Sequence, residues 1–104
     1  MSGPVHELGG RVFVLLDNGG STASVELARG LAEAGAAVVT VHGEGRAPEG
    51  RGHLAGDPAE PLDVDAATAM ATELFGPVDA VLEVADLPVR PEDAVAEVQR
   101  RYHR

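Results

Sequence analysis

The chain has no cysteine, no lysine and no tryptophan, and only 3% of it is aromatic. Without cysteine there is no disulfide framework and no thiolate chemistry. Without lysine there is no P-loop lysine, no Schiff base and no Tyr-x-x-x-Lys pair, so chemistry that needs an ammonium is excluded. A receiver-type phosphorylation site, which also needs a lysine, fails for the same reason. Positive charge is scarce too: 8 arginines stand against 17 acidic residues, a net of −9. Nucleic acid and anionic membranes both require clustered cations, so neither is an expected partner. The small basic tail of Arg100, Arg101 and Arg104 reads as a complement to a helix dipole. Long apolar runs are missing as well. Val12 to Leu16 is far too short to cross a bilayer, and Met1 to Glu7 lacks the charged-then-apolar pattern of a signal peptide. A cytoplasmic protein is expected.

What remains fits one α/β domain over residues 1–104. Residues 1–10 read as a flexible arm. Arg11 to Leu16 is an unbroken apolar strand of the kind buried on both faces of a parallel sheet. Ser21 or Thr22 is placed to cap a helix whose apolar face is Val25, Ala28, Leu31 and Ala32. Gly30 lies inside that helix, where glycine costs ~1 kcal/mol; close approach to the sheet is the expected reason. Gly35 ends the helix. Ala36 to His42 is a second strand, and Gly43 to Gly52 is too short and broken for a crossover helix. A third strand falls at His53 to Gly56, with Pro61 to Val64 as the competing register. Asp63 or Asp65 caps a helix running to Phe75, with Ala67, Met70, Ala71 and Leu74 inward. Val78 to Val84 is a fourth strand. Pro91 opens a terminal helix over 91–103, with Ala94, Val95, Val98 and Tyr102 as its stripe. Right-handed crossovers then give a truncated Rossmann-like three-layer fold: a four-stranded parallel sheet, order 3-2-1-4, helices on both faces.

From Gly10 to about Pro88 the chain resembles the N-terminal half of a short-chain dehydrogenase/reductase. "GRVFVLL" stands at the family's first strand, and "ELARGLAEAGAAVV" at its first helix and second strand. "ELFGPVDAVLEVAD" stands where the family has Phe-Gly-x-Val/Leu-Asp-x-Leu-Val-Asn-Asn-Ala-Gly. The functional motifs are absent. At the family's Thr-Gly-x-x-x-Gly-x-Gly turn the matching positions are Asp17, Asn18, Thr22 and Ser24. The glycines that allow a tight turn, phosphate approach and close helix packing are all replaced. Thr22 and Ser24 bring Cβ atoms where the phosphates or the strand should approach, and Asp17 brings a negative charge to the mouth. Glu83-Val84-Ala85-Asp86 replaces Asn-Asn-Ala-Gly. Tyr102 is the sole tyrosine, and no lysine follows it. The stretch "PLDVDAATAMATELFGPVDAVLEVADLP" is most similar to the non-catalytic structural half of polyketide synthase ketoreductases. That resemblance implies a catalytically silent, cofactor-free structural or interaction module.

Three sets of residues could still do chemistry. Asn18, Gly19, Gly20, Ser21 and Thr22, with His42 and Asp57, would line a vestigial pocket. If the Gly19-Gly20 turn works as a variant cradle, the protein binds NAD or NADP, the alternative reading; otherwise it is a loop and an N-cap. His42 stands where a dinucleotide binder carries its ribose-reading acid, and it can lie beside His53 across strands two and three. His6, His42, His53 and His103 show no metal-ligand spacing. Asp17, Asp57, Glu83 and Asp86 would collect at the carboxyl ends of the strands, the ground for a third reading as a minimal acidic-rim enzyme. With no strand after Pro88, strand four should be an open edge. A protein partner or a homodimer is expected there or on the terminal helix.

Overall fold

The computed structural model describes residues 8–17, 23–43 and 52–102. The expectations for residues 1–7, the 18–22 turn, the 44–51 part of the loop, His103 and Arg104 lie outside these residues. Four strands form one parallel sheet in the order β3-β2-β1-β4. They are β1 (Val12–Asp17), β2 (Ala37–His42), β3 (His53–Ala55) and β4 (Ala80–Glu83). The helices are α1 (Ala23–Glu33), α2 (Pro61–Phe75) and α3 (Pro91–Tyr102). The expected architecture and strand order are what the chain adopts.

All six residues of β1 are buried, as its apolar run requires for a central strand covered on both faces. Strand alternation divides the core in two. Phe13, Leu15 and Leu82 face α1 and α3, while Val12, Val14, Val39 and Val41 face α2. Register is set by the pairs Val12↔Ala37 through Asp17↔His42, and by Phe13↔Ala80 through Leu16↔Glu83. At the amino end of the sheet Asp79 fastens β4 to β1. One carboxylate oxygen accepts from Val12 N at 2.8 Å and the other pairs with Arg11 at 3.1 Å.

Several local expectations need correction. Leu8, expected in a loose arm, is fully buried, and its N–H donates to Ala34 O. The inward face of α1 is Ser24, Leu27, Ala28 and Leu31, whereas Ala32 is exposed and Val25 half-buried. Gly30 packs against a helix, not the sheet: a Cβ there would lie 2.7 Å from Val95 Cγ2 on α3. The cap of α2 is Glu60, ahead of Pro61, because proline at the first helical position forces the start two to four residues earlier than Asp63 or Asp65. That helix also removes the competing strand at 61–64. Leu74 is exposed, since α2 buries only Ala67 and Ala71 fully. The strand expected over 78–84 is trimmed to four residues, with a 3-10 turn at Val84–Asp86.

Candidate functional site

The carboxyl ends of β1 and β2 bring together groups that the chain separates widely. Alternation along Phe13, Leu15 and Asp17 turns Asp17 toward α1; along Val38, Thr40 and His42 it does the same for His42. Asp17 and His42 are register partners. Both are buried, at 3% and 2% exposure. Asp17 Oδ2 lies 3.7 Å from His42 Nδ1 and accepts a 2.7 Å hydrogen bond from Ser24 Oγ in the first turn of α1. His42 Nε2 lies 2.8 Å from His53 Nδ1 at the start of β3. The two rings are 5.0 Å apart and tilted by 43°. Gly52 leads the chain into this contact with φ +86, and a Cβ there would come within 2.5 Å of Val38 O.

Burial decides the charge of the pair. Desolvation, then the neighbouring His53, hold the His42 imidazolium form below its ordinary range, although Asp17 pulls the other way. Desolvation lowers His53 as well. Both rings are therefore neutral at neutral pH.

The line runs hydroxyl, carboxylate, imidazole, imidazole. Ser24 donates to the carboxylate, not to a base, and it is fully buried. It is a helix-to-strand tie and not an activated nucleophile, which would need the imidazole beside its hydroxyl. Nor does the arrangement suit a dinucleotide. A ribose-reading group must present acceptors to a ligand, but His42 is buried and bonded on its Nε2 side. Asp17 holds a carboxylate at the end of β1, where a pyrophosphate would lie.

Of the sequence-derived pocket, Asn18, Gly19, Gly20, Ser21 and Thr22 lie outside the described residues. His42 joins Asp17 and His53, as strand adjacency allowed. Asp57 goes elsewhere: it is exposed, its N–H donates to Asp63 Oδ2 and its own carboxylate accepts from Ala59 N. Asp17 was expected at the mouth; it is instead in the interior, because position 17 falls on the covered face. Ser24 was read only as an obstruction. The signal for its role was available in the alternation and in its place in the first turn of α1. Among the described residues no three His, Asp or Glu side chains converge as a metal site, and no helix is long and apolar enough to cross a membrane.

Comparison with protein-family models, with curated proteins and with solved structures finds no match to the chain.

Proposed function

We propose that this chain is a catalytically silent Rossmann-like module that binds no dinucleotide and docks another protein through β4, in support of a ketoreductase or polyketide-type synthase. The observation that carries the docking part is the state of β4. Among the described residues it is an edge strand, and its face on the α2 side is uncovered: α2 lies over β1 and β2, and Val81 is 43% exposed. Leu74 and Phe75 at the end of α2 are exposed on that side of the sheet too. A strand open along one edge, with a bare apolar face, is a template for another strand. The terminal helix is the weaker candidate. Ala94 and Val98 are buried in the core with α1, and Tyr102 packs edge-on to Phe13 at 5.3 Å, so its stripe is already covered.

Support for the absence of cofactor comes from the buried Asp17–His42 pair and the missing glycines. The synthase assignment rests on the resemblance of residues 10–88 alone. NADPH and NADH titrations followed by nicotinamide fluorescence test the cofactor half. No saturable signal up to millimolar cofactor is the expected result. Micromolar binding abolished by Gly19→Val with Gly20→Val would establish the variant-cradle reading instead.

A further inference from the structure

The line from Ser24 to His53 has one end that reaches solvent. A neutral imidazole carries a single N–H, so the line permits two tautomer patterns. In one, His42 is protonated on Nε2 and its Nδ1 lone pair faces the buried Asp17 carboxylate at 3.7 Å. That sets like-signed electron density together in a medium of low dielectric. In the other, His42 is protonated on Nδ1 and its N–H dipole points at the carboxylate. Its Nε2 then accepts from His53 Nδ1–H across the 2.8 Å contact. The second pattern wins on electrostatics, and it leaves His53 Nε2 as a bare lone pair. No described residue bonds that nitrogen, and it is not buried.

We propose that His53 Nε2 is a proton-accepting site for a neutral protic group, a hydroxyl or a water, its lone pair turned outward because Asp17, acting through His42, sets the tautomer. His53 is the residue that touches the ligand; Asp17 and His42 are positioning residues. The site lies at the carboxyl rim of the parallel sheet, where open α/β folds take their ligands. The ligand is neutral because the chain carries a net −9, so an anion is repelled. In the transfer the donor's proton moves to Nε2 and the bonding pair stays on the donor oxygen. The imidazolium keeps its Nδ1–H on His42, within the field of the Asp17 carboxylate, and the proton returns by the same path. A second polar group lies alongside. Thr40, the register partner of His53 on the same face, has a fully buried hydroxyl with no bonding partner. Such orphans are rare in folded proteins, and this one lies on the same sheet face as the imidazole pair. This inference does not depend on docking through β4.

Nitrogen-resolved NMR of the unmodified chain, one unit above the ordinary histidine value of 6.5, reads the tautomer directly. The expected result is His53 protonated on Nδ1 and bare on Nε2. A proton on Nε2, or an even mixture, overturns the proposal. Phenol serves as the neutral hydroxyl probe. A saturable shift of the His53 Nε2 signal, lost in His53→Gln, is expected; no shift overturns the ligand assignment. Diethylpyrocarbonate, which acylates unprotonated imidazole nitrogen, should modify His53 and spare His42. In folded Asp17→Asn the His53 rate should fall about tenfold or more, as tautomer control is lost. Ser24→Ala keeps the carboxylate and should keep the tautomer, so it stands in if Asp17→Asn does not fold. An unchanged rate in folded Asp17→Asn, or a lost tautomer in folded Ser24→Ala, counts against the line.

Discussion

His42 and His53 favour the folded state more when both rings are neutral. Their imidazolium forms are disfavoured first by desolvation, and for His42 also by the neighbouring ring. The folded state therefore binds fewer protons than the unfolded chain between the lowered values and the ordinary 6.5. Where the unfolded state binds more protons, stability rises with pH. The stabilisation is complete above pH 6.5 and is lost as pH falls toward the folded values. Thermal unfolding midpoints measured downward from neutral pH should fall across that window. In His53→Gln, which keeps a polar partner for His42 but removes one titrating ring, the fall should be shallower. An equal slope in both proteins would mean that the pair does not govern the acid limb. Exposed Glu92, held below its ordinary range first by its own backbone hydrogen bond and then by Arg90, acts in the same direction but only below the ordinary 4.5, outside the histidine window. It lies on the surface and cannot imitate a histidine step.

Helix α1 shows how far sequence reaches and where it stops. Its existence, its approximate span and Gly35 as its terminator follow from spacing and from a residue free to adopt φ 102. The order of the strands follows in the same way from run length, loop length and crossover handedness. The purpose of Gly30 did not follow, because a glycine that admits a neighbouring side chain looks the same in sequence whether the neighbour is a strand or a helix 65 positions later. The inward face was misread by one position because Val25 and Leu27 are equally apolar, and only packing against Phe13, Leu15 and α3 chooses between them. The candidate site was half legible. Strand adjacency places His42 by His53, but the role of Ser24 depends on a helix-to-strand contact that no motif encodes. At Gly30 two effects compete. Alanine gains ~1 kcal/mol of helix propensity, yet its Cβ would lie 2.7 Å from Val95 Cγ2, on a stiff branched side chain, and overpacking costs about 1–3 kcal/mol. Gly30→Ala alone should destabilise. In a Val95→Ala background the same change should stabilise, giving a coupling of about 1–3 kcal/mol between the sites. Additive denaturant midpoints across the four proteins would show that α1 and α3 do not meet there.

For the whole molecule, the described residues leave β4 open at its edge and uncovered on one face, and they flank that strand with acid. Glu83 and Asp86 are exposed, within a chain of net −9. Backbone pairing and the bare Val81 side chain favour an added strand, while like charge opposes a second copy of the same surface. Under the docking proposal, the expected partner is a protein offering an apolar strand flanked by arginine or lysine. Salt then separates the cases, because screening weakens attraction between opposite charges and relieves repulsion between like ones. With a basic partner, affinity should drop as ionic strength rises. If the chain pairs with itself, sedimentation at rising concentration should show a dimer that strengthens with salt. In either case the outward amides of β4 should gain hydrogen-exchange protection on association. Val81→Arg should weaken a homodimer about tenfold or more, the loss of one apolar anchor worth ~1.4 kcal/mol. That substitution leaves the Val14↔Val81 backbone pairing intact, so a folded variant with unchanged association would move the docking surface away from β4. A chain that stays monomeric at high concentration, and whose β4 amides gain no protection beside a polyketide-type ketoreductase, would remove the docking reading altogether.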